Sequence, residues 1–234
     1  YTGDMSITAN LDVSKCNLIV KGMVGSVDGK TIKVKNLTVT SSSDCALDIS
    51  YDSTLTVSGN VKVDNNTNPY AVCIYDGTVT VSGDITITNS SYAALILQNY
   101  YTTAKLSANN ITATCGTTDG ACVYIKGTAT VTNTVSSTGG SSAITVAGSG
   151  SLTVKKIIGT VSSSAFVGIS LNGSAKVTAT ESILGVGADN MRGGVSCMEG
   201  TTITSPMIYY YPKKDISCTV NGTVKCRSGS TCTN

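Results

Sequence analysis

The chain of 234 residues contains no histidine, only two arginines, Arg192 and Arg227, and only 13% charged residues, about half of the usual ~25%. Without histidine the commonest general base and metal ligand is missing, and with it every Ser/His or Cys/His hydrolytic arrangement. Sixteen Lys and Arg against fourteen Asp and Glu leave a net charge of +2, so neither a basic face for nucleic acid nor an acidic tail is implied. Twelve of the fourteen acids are aspartates, the others being Glu181 and Glu199, and they form no dense cluster in the sequence. The longest aliphatic runs, such as "AALIL" at 93–97, are far too short for a membrane span. There is no CxxC pair, which together with the missing histidine argues against a zinc site. The chain opens on Tyr1 without a basic stretch followed by an apolar one, and reads as a mature or trimmed product.

What the sequence has instead is alternation. Apolar residues make up 41% and alternate with serine and threonine, with glycine as punctuation, a period of two that signals strands rather than helices or disorder. A short element recurs: "TIKV" from Thr31, "TLTV" from Thr54, "TVTV" from Thr78, "TAKL" from Thr103, "TATV" from Thr128, "SLTV" from Ser151 and "SAKV" from Ser174. Successive starts lie 23, 24, 25, 25, 23 and 23 residues apart, with weaker copies at Ser6 and Thr202. A second strand precedes each copy, marked by apolar pairs: Leu18 and Val20, Leu47 and Ile49, Val72 and Ile74, Leu95 and Leu97, Val123 and Ile125, Ile144 and Val146. A third follows in the early coils, from Leu37 and Val39 to Ile111 and Ala113, and loses its register past Val135.

Stacked coils explain why every third strand matches, because equivalent residues then pile up in columns ~4.8 Å apart and each apolar position must recur in every turn. The expected fold is all-β: a right-handed parallel β-helix of about eight rungs of 23–28 residues, three strands per rung, in a rod on the order of 35 to 40 Å long. The expected division is a β-helix over 1–204 and a Cys-rich cap or junction over 205–234. Rungs such as "YDGTVTVSGDITIT" resemble right-handed parallel β-helix proteins of the pectin-lyase-like kind, including secreted repeat proteins and surface adhesins. The resemblance implies a fold and an extracellular setting and transfers no activity.

Asp52 and Asp76 occupy matching "YDST" and "YDGT" corners and are expected one rung apart, with Tyr51 and Tyr75 alongside and Tyr100 in the next rung. Two carboxylates so placed suit a calcium ion or a glycosidic bond; equally, aspartate is a common corner residue. Outward hydroxyls at Thr54, Thr56, Thr78, Thr80, Thr128 and Thr130 form a ladder of the kind an ice-binding surface uses, interrupted by Lys33, Lys105 and Lys176. Asn60, Asp84 and Asn110 fall at one turn and are expected to hydrogen-bond neighbouring corners. Six N-x-[ST] sequons, at Asn36, Asn65, Asn89, Asn110, Asn172 and Asn221, are close to what chance supplies in so hydroxyl-rich a chain.

Nine cysteines imply an oxidising compartment. Cys16 and Cys45 each precede an apolar pair by two residues, which predicts a bond between them. Cys115 and Cys122 flank "CGTTDGAC" and are placed to close it, while Cys197, Cys218, Cys226 and Cys232 form two bonds of open connectivity. Cys73 is then left over, pointing outward as a free thiol or interchain link.

The expectation is a non-enzymatic extracellular or cell-surface rod, without cofactor or metal, that stacks end to end into a filament or adhesive fibre. The first strand-like segment starts within ten residues of Tyr1 with no helix before it, and "PMIYYYPKKD" offers an aromatic junction. The alternative is a carbohydrate-binding or polysaccharide-active β-helix using Tyr51, Asp52, Tyr75, Asp76 and Tyr100 on surface glycans. An ice-binding protein is a third reading.

Overall fold

The computed structural model describes every residue except 27, 42–44, 66–69, 90–91, 117–119, 162–166, 189–192, 230 and 233–234; of 65 and 89 only the backbone is described. Arg192 lies outside the described residues.

The alternation does produce stacked parallel coils. Each coil gives one strand to a ten-stranded sheet: β1 (Met5–Ile7), β3 (Val24–Ser26), β5 (Leu47–Ser50), β8 (Tyr70–Tyr75), β11 (Ala93–Gln98), β13 (Ala121–Lys126), β15 (Ser142–Val146), β17 (Val167–Leu171), β19 (Val195–Cys197) and β21 (Lys214–Ile216). The rest of each coil enters a twelve-stranded sheet. Its long strands β2 (Leu11–Lys21), β4 (Thr31–Ser41), β12 (Lys105–Thr114), β14 (Thr128–Thr138), β16 (Ser151–Thr160), β18 (Lys176–Val186) and β20 (Thr202–Tyr211) run through a bend, and β22 (Thr219–Cys226) pairs along β20. In two coils the bend splits the strand, giving β6 (Thr54–Val57) with β7 (Val61–Asn65), and β9 (Thr78–Val81) with β10 (Asp84–Asn89). β4 therefore pairs with β6 through its first half and β7 through its second. The stack anticipated from the sequence is present with about seven turns, close to the eight expected; the second and third strands of a rung are separate in two coils and run together through the bend in the others, and three-residue strands extend the ten-stranded sheet at its ends.

The inward columns form one continuous core. Ile32, Leu55, Val79, Leu106, Ala129, Leu152, Val177 and Ile203 make one buried file, each in register with the next. Leu47, Val72, Leu95, Val123, Ile144, Ile169 and Val195 make another on the ten-stranded sheet. A buried aliphatic side chain stabilises by ~1.5–3 kcal/mol, and here each also supports those above and below it.

The registers correct several sequence expectations. "SITA" at Ser6 lies in β1 of the ten-stranded sheet, and the true predecessor of "TIKV" is Leu11–Val13, in register with Ile32–Val34. In the outer file it is Lys105, not Thr103, that stands over Thr78, and Lys176, not Ser174, over Ser151. The third strand does not lose register past Val135, which continues through Ile157, Ile183 and Ile208. Its second inward file merely stops being aliphatic, passing from Ala113 to Ser137, Gly159 and Gly185. Chain segments approach closely there: a Cβ on Gly185 would lie 2.1 Å from the Gly194 carbonyl oxygen, so only glycine fits. Coiling also continues beyond 204, since residues 205–211 belong to β20 and both β21 and β22 pair onto earlier strands; the boundary at 204 cuts a strand.

An amide ladder runs along the bend of the twelve-stranded sheet. Asn36 Nδ2 donates to Asn17 Oδ1 (2.7 Å), the Asn60 N–H to Asn36 Oδ1 (2.7 Å), the Asp84 N–H to Asn60 Oδ1 (2.9 Å), and Asn110 Nδ2 to Asp84 Oδ1 (2.8 Å). Asn60, Asp84 and Asn110 thus tie coil to coil, as their shared turn position predicts, and the side chains of Asn36 and Asn110 are engaged in the same chain of bonds.

Four disulfides form: Cys45–Cys73, Cys115–Cys122, Cys197–Cys218 and Cys226–Cys232. The predicted Cys16–Cys45 bond is absent, because Leu18 and Val20 belong to the twelve-stranded sheet, in register with Leu37 and Val39, whereas Leu47 lies in the other sheet. Cys16 is an exposed free thiol, and Cys73, expected to be the odd one out, is buried and bonded. Cys45 adopts φ 48° at the corner before β5, and its Cα lies 5.5 Å from that of Cys73 in the next coil.

Candidate functional site

The corner carboxylates are the first candidates. Asp52 and Asp76 are vertical neighbours, the Asp52 N–H donating to the Asp76 carbonyl oxygen at 3.1 Å, and both lie in the left-handed region, at φ 60° and 57°. The Asp76 side chain is nearly buried, at 5% exposure. Its Oδ1 accepts the N–H groups of Tyr100 (2.7 Å) and Thr102 (3.1 Å), and its Oδ2 accepts that of Tyr101 (3.0 Å). The Thr102 hydroxyl reaches Asp52 Oδ1 at 2.9 Å. Both carboxylates thus hold the segment after β11 in place.

That segment is an insertion. Tyr75 precedes Thr78 by three positions, but its register partner Gln98 precedes Lys105 by seven. The insertion carries Tyr100 away from the expected column: Tyr75 stands in register with Ser50 and Gln98, not with Tyr51 and Tyr100. Tyr75 and Tyr100 still meet, ring centroids 5.5 Å apart, while Tyr51 projects into solvent.

Beside this corner, on the outer face of the ten-stranded sheet, lies a groove of about 350 Å³ that sequence reasoning missed. Tyr70, Tyr92 and Tyr124 line it with Ile96, Gln98 and Thr145. Ile96, Tyr124 and Thr145 are register partners on β11, β13 and β15, so the groove crosses successive coils rather than following a strand. Tyr70 and Tyr92 pack edge to face at 5.6 Å. The Tyr92 ring rests against Gly120, where a Cβ would fall 2.4 Å from the ring. At the floor, the hydroxyls of Ser142 and Thr145 are hydrogen-bonded to each other. Burial, with a smaller contribution from Tyr100 nearby, pushes the Tyr124 phenol above its ordinary range. The available signal was Ile96, an apolar residue between the inward Leu95 and Leu97 and therefore on the outer face.

The hydroxyl face differs from its sequence reading in one respect. Its inner file runs unbroken through Thr56, Thr80, Ser107, Thr130, Thr153, Thr178 and Thr204. Lys33 lies beyond the end of that run, in register with Asp12 and 3.9 Å from it. The Asp12 carboxyl is held below its usual range chiefly by hydrogen bonds from Ser14, with Lys33 adding less. Lys105 and Lys176 do interrupt the outer file, so charge projects beside the hydroxyls.

No protein-family model, no curated protein and no solved structure matches the chain. Four disulfides indicate an oxidising environment. Among the described residues, no helix is long and apolar enough to cross a membrane.

Proposed function

We propose that the protein is a non-enzymatic extracellular structural element, a rigid β-helical rod that serves as the shaft of a surface filament or adhesive fibre. The observation that carries this reading is the cross-linking of one coil to the next. Cys45–Cys73 and Cys197–Cys218 join adjacent coils, and the asparagine ladder adds hydrogen bonds along the same axis. Coils of a solenoid touch only their neighbours, so they can peel one at a time, and a covalent staple between neighbours blocks that route. Asp52 and Asp76, the acids best placed for sugar chemistry, are instead committed to holding backbone and a threonine hydroxyl. Head-to-tail stacking would join the outermost strands β2 and β22; within the described residues β22 is paired on one side only, and the open side of β2 is met at its end, where Tyr1–Gly3 bond to Ile19 and Lys21.

Single-molecule stretching tests the shaft. The expected result is a force plateau that drops when the disulfides are reduced, with extra length released from the coils between Cys45 and Cys73. Equal force before and after reduction would remove the mechanical role. Electron microscopy at high protein concentration tests the assembly: filaments of stacked rods are expected, and isolated rods alone would leave a shaft without a filament.

A further inference from the structure

We propose that the groove lined by Tyr70, Tyr92 and Tyr124 is a binding site for a neutral saccharide. The lining decides the ligand's chemistry. Three aromatic rings and Ile96 supply apolar surface for the C–H face of a sugar ring, while Gln98, Thr145 and the tyrosine hydroxyls supply both donors and acceptors. Among the described residues no charged side chain lines the groove, so none of them compensates a carboxylate, sulfate or phosphate on the ligand. A volume of about 350 Å³ falls at the small end of ligand sites, the size of one or two sugar rings.

A peptide is the poorer fit. Extended peptides bind by adding a strand to a sheet edge, where backbone groups are free. Here the groove crosses the faces of β8, β11, β13 and β15, whose backbones already pair with one another in parallel. Side chains supply most of the lining, which suits a molecule whose polar groups are hydroxyls. The rings are also braced in advance: Tyr92 sits on Gly120 and against Tyr70, and Tyr124 is partly buried, so little side-chain freedom is lost on binding. The site lies on one rod and needs no second copy, so it stands or falls separately from the filament.

The test uses the intact chain and its own fluorescence, because without tryptophan and with one phenylalanine the near-ultraviolet emission comes from the eleven tyrosines. A glycan array of neutral oligosaccharides (β-glucans, xylans, mannans) and acidic ones selects the probe. The selected sugar is then titrated against tyrosine emission and by calorimetry. At least one neutral saccharide is expected to bind, with Tyr124→Ala weakening it about tenfold or more. Gly120→Ala, which drives a Cβ into the Tyr92 ring, should also weaken it, and Tyr101→Ala, at a 90% exposed position outside the groove, should not. Circular dichroism confirms that each variant keeps its sheet. Binding of acidic sugars only, no binding at all, or affinity unchanged in a folded Tyr124→Ala protein would overturn the assignment.

Discussion

Removing the Asp76 carboxylate tests whether the corner acids act as structure or as chemistry. In Asp76→Ala, the N–H groups of Tyr100, Tyr101 and Thr102 lose their carboxylate acceptor at 2.7–3.1 Å. Hydrogen bonds to a charged group contribute about 1.5–3 kcal/mol each. Tyr100 and Tyr101 are 60% and 90% exposed, so water replaces part of what is lost, and about 1 kcal/mol per bond is the reasonable share. The sum, about 3 kcal/mol, corresponds to about 100-fold faster hydrogen exchange at those three amides. Exchange is the right assay, because stacked repeats do not guarantee the two-state unfolding that a denaturation midpoint requires. Asp76→Asn, which tolerates the left-handed backbone at φ 57° and keeps one acceptor oxygen, should fall between, separating lost bonds from backbone strain. Asp52→Ala places alanine in the same left-handed backbone, at φ 60°, but removes the acceptor of just one threonine hydroxyl and should change exchange by less than about fivefold. Unchanged protection in Asp76→Ala, or equal effects of the two alanine variants, would refute the assignment of Asp76 as the anchor of the insertion. Slower exchange on adding calcium to the native protein would restore the metal reading of the pair.

Mass spectrometry after alkylation without reduction should find one labelled cysteine per chain, Cys16; label on Cys73 would contradict the Cys45–Cys73 bond. The raised Tyr124 pKa means that the folded state holds this proton longer than the unfolded state does. Its contribution to stability is therefore constant below about pH 10 and is lost as pH rises through the raised value. In a tyrosinate absorbance titration, Tyr124→Phe should remove a late-ionising component and raise the midpoint of alkaline unfolding, and an unchanged curve would mean that the ring is not buried as described. The hydroxyl face should leave ice crystals rounded in a nanolitre osmometer, since Lys105 and Lys176 break its outer file; faceted crystals would make that face functional.

How far the sequence could be read depended on how each feature is encoded. The stack was legible because a parallel coil imposes its inward positions on the next, so Leu55 and Val79, or Leu95 and Val123, must agree in character. Alignment failed where the chain departs from that rule. The insertion between Gln98 and Lys105 is compensated by a local motif, "TAKL" from Thr103, that resembles the repeat two residues early. Glycine at 159 and 185 replaces an aliphatic file with close backbone contacts, which no hydrophobic pattern records. The disulfide partners turned on whether Leu18 opens a coil or closes one, and spacing alone gives the same answer for both. The groove was the hardest to read, because Tyr70, Tyr92 and Tyr124 come from different offsets in three coils and converge only after folding.

The corner and the groove are nevertheless one construction. Tyr100, carried by the insertion that Asp76 anchors, packs against Tyr75 and contributes to the raised pKa of Tyr124 in the groove. If the groove takes a sugar as proposed, Asp76 acts on that binding without touching the sugar, by fixing the backbone that carries Tyr100 against Tyr75. The expected signature is a split: Asp76→Ala should weaken saccharide binding by a few-fold, less than Tyr124→Ala, while accelerating exchange at 100–102, and saccharide should slow that exchange in the native protein but only weakly in the variant. Faster exchange with wholly unchanged affinity would show that the insertion and the groove are neighbours without being coupled, and that the carboxylates serve the shaft alone.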